Sequence, residues 1–458
     1  MTDTTAPHVS MTTASEPDGA PRVASLDILR GLAILGILFM NINDMGQSMA
    51  ASFGDIRHLG WTQADQAAWW VREVFANGTA RGLLQMLFGV GMVILTDRAA
   101  GVAQSKWTVL RGYWWRNIVL FVFGVVHMYI LLWPGDILHT YAMAALLAVF
   151  FRRLRPRWLL TIGLIFAMLQ FFGGGIGGYY LGMRQQAQVA AARADQATGK
   201  PLTADQKKTL ATAAKSDKAR AENEADRAKE IADEDAGRLG TPVTWATAQT
   251  DMSISRFPTF GEIFSVWESL ATMLIGAALF KLGILQGTRS RRYYVGMTLI
   301  AYAIGIPLRA LGAWEQMQFT DGPHIYWATN EVARLAMTLG HVGLVYVLLG
   351  SALGTKLLRP FEAAGRTALT VYIAQTMICL WVLYPPFGFH LYRHEGWMAL
   401  MLTALAINAA LLWGANVWVR HYRIAPVEWA WRSIVERKRL PFRKGPRVAM
   451  PGTIPATA

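Results

Sequence analysis

Long apolar segments recur along almost the whole chain, and they constrain its fold more than any other feature of the sequence. Clear examples begin at Leu26, Gly261, Val332 and Met398, and each continues for about 20 residues, the length at which a helix crosses the hydrocarbon of a bilayer. The segments lack the alternation of apolar and polar residues that is typical of barrel strands. Because only helices and closed barrels satisfy the backbone within lipid, the sequence predicts an all-α, polytopic helical membrane bundle.

The apolar segments predict about ten transmembrane helices. Only 16% of the residues are charged, whereas a soluble chain contains about a quarter. The expected spans are 26–46, 79–96, 117–133, 137–151, 159–181, 261–280, 293–312, 332–354, 368–385 and 398–419.

The distribution of lysine and arginine predicts how these spans are oriented. Basic residues cluster in every second connection, as at Arg152, Arg153, Arg155 and Arg157, and again after the last span. Cytoplasmic loops of membrane proteins carry this excess, so both termini are expected in the cytoplasm and the chain in a bacterial inner (plasma) membrane. The same distribution explains the net charge of +14, and nucleic acid is not an expected partner.

The segments outside the spans complete the predicted domain organisation. A polar stretch before the first span has no apolar core of a signal peptide, and a long Ala-rich polar insertion follows the fifth span. Residues 201–236 within this insertion are expected to form an extended pair of surface helices. The predicted units are a disordered tail at 1–24, a membrane domain at 25–183, an extracytoplasmic insertion at 184–257, a second membrane domain at 258–440, and a basic cytoplasmic tail at 441–458.

Ionisable side chains within the spans are candidate functional residues, because a charge in hydrocarbon is unfavourable. Most of them fall in the outward-facing halves of the spans, which predicts one polar cavity open to the outside. A hydrogen bond to a neighbouring helix explains His341. Snorkelling to the interface explains four others equally well, namely Asp44, Glu262, Arg309 and Arg334. The residues concerned are Asn41, Asp44, His127, Asp136, His139, Glu262, Glu268, Arg309, Arg334 and His341.

The segment from His127 to Asp136 contains the strongest catalytic candidates. Its Trp-Pro-Gly sequence at 133–135 predicts a tight turn between two helices, which would bring His127 toward Asp136. A histidine oriented by a carboxylate is the minimal general-base arrangement. Asp136 has a sufficient structural role as well, since it precedes a helix whose free N–H groups it would cap. Glu268 is the third candidate catalytic residue, and no metal site is expected.

Four sequence blocks resemble the YeiB family, also described as domain of unknown function 418. The resemblance extends over about 26–440. The blocks are Ser25-Leu-Asp-Ile-Leu-Arg-Gly-Leu-Ala-Ile-Leu-Gly-Ile-Leu-Phe-Met-Asn-Ile, Gly135-Asp-Ile-Leu, Gly365-Arg-Thr-Ala-Leu-Thr-Val-Tyr-Ile-Ala-Gln and Ala425-Pro-Val-Glu-Trp-Ala-Trp-Arg.

The first block is also similar to the wider group of transmembrane acyltransferases, which includes the heparan glucosaminide acetyltransferases. This resemblance implies a catalytic histidine and transfer of an acyl group from a cytoplasmic donor, acyl-CoA, to a glycan, lipid or small-molecule acceptor across the bilayer. His58 is a second candidate histidine, and Val371 stands where the family usually has asparagine. The matching positions are Asp27, Arg30, Asn41, His127, Asp136, Tyr141, Glu268, Arg366, Tyr372 and Gln375. The residues expected to bind the substrate are Asn41, Asp44, Tyr141, Arg334, His341, Tyr372 and Gln375.

Several alternatives remain open from the sequence. Arg30 and Arg366 would hold the phosphates of acyl-CoA, or they serve only to orient the chain. Histidine would act as a general base or accept the acyl group directly. The polar cavity would equally suit a transporter or exporter that moves protons or substrate. A structural or sensory role for the insertion and a homodimer are further alternatives.

Overall fold

A computed structural model describes residues 24–52, 54–102, 105–256, 259–320 and 322–444. The predicted disordered tail, apart from Ala24, and residues 445–458 of the predicted basic tail lie outside these ranges. The described residues form helices joined by short connections, and they contain no β-strand beyond one isolated bridge between Tyr422 and Arg443. The predicted all-α fold is therefore confirmed.

The helices are numbered in chain order. Short 3₁₀ or π-helical turns interrupt them at Val149–Phe151, Phe171–Ile176 and Cys379–Leu383. The helices are α1 Ala24–Gly46, α2 Met49–Ser52, α3 Gln63–Phe75, α4 Thr79–Val102, α5 Lys106–Tyr129, α6 Leu138–Ala148, α7 Pro156–Gln170, α8 Gly177–Ala197, α9 Ala204–Leu239, α10 Pro242–Arg256, α11 Phe260–Lys281, α12 Arg291–Gln316, α13 Ile325–Leu349, α14 Ala352–Arg366, α15 Ala368–Ile378, α16 Trp397–His421 and α17 Pro426–Glu436.

The described residues contain seven helical segments that are long and apolar enough to cross a membrane. One of them consists of α3 and α4, and the other six are α1, α5, α11, α12, α13 and α16. The pair α14 and α15, which is bent by 82°, would be an eighth. The predicted fourth and fifth spans correspond to shorter apolar helices, Leu138–Phe151 and Pro156–Leu169. The chain is thus a multi-pass membrane protein, and its apolar segments differ in length more than the sequence pattern indicates.

Helices α1 and α14 pack backbone to backbone near the start of α1. A Cβ atom added to Gly31 would lie 2.0 Å from the carbonyl oxygen of Phe361, and one added to Gly365 would lie 1.8 Å from that of Asp27. Small residues permit such close approach between membrane helices. The contact brings Arg30 and Arg366 to the same end of the bundle.

We name that end, where α1 begins, the basic face. Connections from several helices meet there, as shown by the Lys281 ammonium group, which donates to the Arg152 carbonyl oxygen at 2.6 Å. The tyrosine hydroxyl of Tyr346 likewise donates to the Leu285 carbonyl oxygen at 2.7 Å. The basic face is defined by Arg30, Arg152, Lys281, Arg366 and Arg432.

The polar insertion folds differently from the expected helix pair. Residues 204–239 form the single helix α9, which begins with a capping box between Thr203 and Gln206. The expected pair was wrong because residues 204–236 contain no glycine or proline, and Ala, Lys, Glu and Gln all favour an uninterrupted helix. Helix α8 also continues from the membrane part through the predicted boundary at 184.

Two buried charges of α9 attach the insertion to the end of α1. The Arg238 guanidinium donates to the carbonyl oxygens of Asp44 at 3.2 Å, Gln47 at 3.0 Å and Met45, where the helix dipole is negative. The Glu234 carboxylate accepts the backbone N–H groups of Met49 at 2.9 Å and Ala50 at 3.1 Å. The insertion thereby covers this end of the bundle, which we name the capped face and define by α2, α9 and α10.

Candidate functional site

A buried histidine and aspartate meet where α5 turns into α6. The turn is tight because Leu132 adopts a left-handed conformation with φ of 59° and the Trp133 N–H donates to the His127 carbonyl oxygen at 3.2 Å. His127 Nδ1 lies 2.7 Å from Asp136 Oδ1, and both side chains are fully buried. A carboxylate at Nδ1 fixes the tautomer of the ring and leaves Nε2 as the nitrogen that can accept a proton.

Asp136 also performs the capping role that the sequence left open. Its second oxygen, Oδ2, accepts the backbone N–H of His139 at 3.0 Å and lies 2.8 Å from His139 Nδ1. One carboxylate therefore holds two imidazole rings and the first turn of α6 at the same time.

Helix α15 closes the other side of His127. The Thr376 hydroxyl lies 2.9 Å from His127 Nε2, and the ring of Tyr372 stands edge-on to the imidazole with centroids 4.9 Å apart. The Tyr372 hydroxyl accepts the Ile137 N–H at 3.2 Å and lies 3.5 Å from Asp136 Oδ1. Thr376, His127 and Asp136 thus form a buried hydroxyl–imidazole–carboxylate series, the order of groups used in nucleophilic catalysis.

The polar series continues from Asp136 toward a more accessible carboxylate. His139 Nε2 lies 3.5 Å from Glu262 Oε1, and the neighbouring Thr140 hydroxyl donates to the same oxygen at 2.6 Å. The Glu262 side chain is 18% exposed, whereas those of His127 and Asp136 are fully buried. Hydrogen-bonded groups therefore connect the interior of the bundle with its edge.

Thr376 was not predicted as a site residue, and His139 was noted only as an ionisable residue within a span. The spacing of Asp136 and His139 at a helix start was a usable local signal. Thr376 lies 249 residues after His127 in the chain, so no local pattern connects the two.

Glu268 belongs to a second buried cluster, formed between α4, α11 and α13. Its carboxylate lies 3.7 Å from the Arg334 guanidinium and 3.2 Å from that of Arg81. Arg334 also pairs with Glu331 at 2.6 Å. No hydrogen bond joins Glu268 to His127 or Asp136 among the residues described, so the structure separates Glu268 from the pair with which it was grouped. Its neighbours are instead opposite charges that neutralise it within the bundle.

The remaining predicted substrate-binding residues do not converge on one cavity. His341 lies 2.7 Å from the Met337 carbonyl oxygen and 3.1 Å from that of Phe75. The Gln375 amide donates to the Ile34 carbonyl oxygen, and the Tyr141 hydroxyl donates to the Arg81 carbonyl oxygen. The Asp44 carboxylate accepts from the Ser52 hydroxyl, and Asn41 is half-buried on α1. The alternative candidate, His58, pairs with Asp235 of the insertion at 3.0 Å, so it belongs to the capped face.

Arg30 and Arg366 occupy different surroundings on the basic face. Arg30 forms an ion pair with Asp27 at 2.6 Å. Arg366 lines an open pocket together with Arg423 and Arg432. The two predicted donor-binding residues are therefore close in the fold, and only Arg366 contributes to this pocket.

Comparison with known proteins supports the resemblance seen in the sequence blocks. Residues 279–438 match the family model described as "Protein of unknown function (DUF418)". This part of the chain belongs to the DUF418 family. The predicted membership is thereby confirmed, and the matched residues of this DUF418 protein include Arg366, Tyr372 and Thr376.

Relatives of the DUF418 protein match nearly its whole length. The Escherichia coli (strain K12) "Uncharacterized protein YeiB" is 26% identical over 420 residues, which cover 91% of this chain and 97% of that protein. The Bacillus subtilis (strain 168) "Uncharacterized protein YxaH" is 27% identical over 444 residues, covering 93% and 97% respectively. The similarity therefore includes both the helices that carry His127 and those that carry Thr376.

Proposed function

We propose that this DUF418 protein is an integral membrane acyltransferase in which His127, oriented by Asp136, is the general base. The observation that supports this proposal best is the buried series of Thr376, His127 and Asp136, with distances of 2.9 and 2.7 Å. The His127 side chain is buried, so in this proposal its proton transfers are directed by the neighbouring carboxylate of Asp136. A positioned base of this kind accelerates a reaction by about 10²–10⁴-fold.

The proposal places the basic face in the cytoplasm of a bacterial cell and the capped face outside. The excess of lysine and arginine at the basic face supports this orientation in the inner membrane. Acyl-CoA would then enter from the cytoplasm, and a glycan, lipid or small-molecule acceptor would approach from the other side.

The transfer step follows from the proposed role of His127. The acceptor oxygen or nitrogen attacks the thioester carbonyl carbon while its proton passes to His127 Nε2. The carbon–sulfur bond then breaks, and the departing thiolate takes that proton from the imidazolium, which returns His127 to its neutral form. Asp136 stabilises the transient positive charge through its hydrogen bond to Nδ1.

A transporter is the second candidate function, and one observation favours it. The groups from His127 through Asp136 and His139 to Glu262 are hydrogen-bonded in series, with a longest separation of 3.5 Å. Such chains of protonatable groups carry protons in membrane transporters. In that case His127→Ala would abolish proton-coupled uptake by proteoliposomes, and no acyl product would form.

Acyl transfer by the purified full-length protein tests the first proposal. Radiolabelled acetyl-CoA is supplied with a mixed glycan and lipid acceptor pool, and wild type is compared with His127→Ala and Asp136→Asn. We expect labelled product from wild type and a loss of about 10²-fold or more in both variants. His394→Ala, which removes an exposed histidine of the capped face, is the matched control. Equal turnover in wild type and His127→Ala would refute the proposal.

A further inference from the structure

An arginine-lined pocket opens on the basic face between the end of α14, the end of α16 and the start of α17. Three arginines are among its lining residues, Arg366, Arg423 and Arg432, together with the aromatic residues Trp418 and Tyr422. No carboxylate is among the lining residues. A concave site with several positive charges and no negative one attracts an anion.

Among the described residues, the surroundings of the pocket contain no ion-pair partner for two of its three arginines. In the part of the chain that the structure describes, neither Arg366 nor Arg423 forms an ion pair. The nearby Glu428 carboxylate instead accepts the backbone N–H groups of Leu369 at 2.6 Å and Thr370 at 3.2 Å. Burial raises the pKa of Glu428, which these hydrogen bonds oppose by stabilising the charged form. Its lone pairs are therefore used to hold the start of α15 rather than to neutralise Arg366 or Arg423.

The walls of the pocket are held in place before any ligand binds. The rings of Trp418 and Tyr422 are stacked with centroids 4.2 Å apart, and Trp418 Nε1 donates to the Ile424 carbonyl oxygen at 3.2 Å. The Arg423 N–H donates to the Phe442 carbonyl oxygen at 3.1 Å. Rigid walls lower the entropy lost on binding, so the pocket is preorganised for its ligand.

The pocket also lies at the start of the helix that reaches His127. Thr367 lines the pocket and immediately precedes α15, and Thr376 follows nine residues later. At 1.5 Å per residue, the two positions are separated by about 14 Å along the helix. An anionic group in the pocket, if it carries an extended flexible arm, would therefore bring the end of that arm to Thr376 and His127.

We propose that this pocket binds phosphate groups through Arg366, Arg423 and Arg432. Guanidinium groups match phosphate oxygens in pairs of parallel hydrogen bonds, which makes arginine the preferred residue for this anion. The assignment to the phosphates of coenzyme A, with the pantetheine arm along α15, rests on the proposed acyltransferase function. An anionic phospholipid headgroup presents the same chemistry from a different source.

Binding measurements on the full-length protein in phosphatidylcholine nanodiscs test this proposal. Coenzyme A is titrated without any acceptor, and inorganic pyrophosphate is used as a competitor. Arg366→Gln and Arg423→Gln should each weaken coenzyme A binding by about tenfold, the loss expected for one charge-assisted hydrogen bond. The matched control is Arg359→Gln, which removes the same charge from an exposed position of α14 outside the pocket and should leave the affinity unchanged.

A second set of nanodiscs, containing phosphatidylglycerol, distinguishes the two sources of phosphate. Arginine-dependent retention of phosphatidylglycerol without coenzyme A binding supports the phosphate site and assigns it to lipid. Arginine-dependent coenzyme A binding without acyl transfer refutes the proposed function and leaves the site intact. The proposal itself is overturned if wild type, Arg366→Gln and Arg423→Gln bind both ligands equally well.

Discussion

The buried pair of Glu234 and Arg238 provides the sharpest test of how the insertion is attached. Arg238 and Glu234 are 1% and 5% exposed, and Arg238 NH1 lies 2.9 Å from Glu234 Oε1. Replacing Arg238 by methionine leaves the Glu234 charge buried without its partner and removes the donor for three carbonyl oxygens. Breaking such a buried pair lowers the free energy of unfolding by about 3–5 kcal/mol.

The same helix offers a matched control. Lys229 and Asp233 are also four residues apart and lie 2.7 Å from each other, but their side chains are 77% and 67% exposed. Exposed pairs of this kind contribute little to stability, because water screens both charges. Lys229→Met should therefore change the free energy of unfolding far less than Arg238→Met does.

Denaturant unfolding of the purified variants in a constant detergent measures the difference. The double variant Glu234→Gln with Arg238→Met should be more stable than Arg238→Met alone, because the second change removes the unpaired buried charge. Limited proteolysis should cut α9 faster in Arg238→Met than in Lys229→Met, since only the former releases the helix from α1. Indistinguishable stabilities of Arg238→Met and Lys229→Met would refute the reasoning.

Three further predictions concern the bundle and the site. Gly365→Ala should destabilise the protein by about 1–3 kcal/mol, because the added methyl group would overpack against α1. Gly414→Ala is the control, since Gly414 faces open space, and thermal unfolding of the two variants measures the difference. The pKa of Glu428 is raised in the folded state, so the free energy of unfolding should fall as the pH rises through this pKa. Glu428→Gln should weaken this pH dependence, and unfolding measured at a series of pH values checks it. Asp136→Asn should also weaken the start of α6, which hydrogen exchange at the His139 amide would detect as faster exchange. Unchanged exchange would contradict that cap.

The general architecture and one pair of site residues could be predicted from the sequence because their signals are local. An apolar segment of about 20 residues indicates a membrane helix whatever its neighbours are. Nine residues separate His127 from Asp136, and the intervening Trp-Pro-Gly turn limits how far apart their side chains can lie. The alternating basic connections likewise predict an orientation without reference to packing.

Only the tertiary structure showed which distant residues complete these sites. Thr376 reaches His127 because α15 packs against the turn after α5, and Arg423 joins Arg366 because α16 ends beside α14. The same packing separates Glu268 from His127, although both occur at similar depths in their predicted spans. Helix contacts depend on which face of each helix is buried against which neighbour, and this choice is made by side-chain packing over the whole bundle rather than by any single segment.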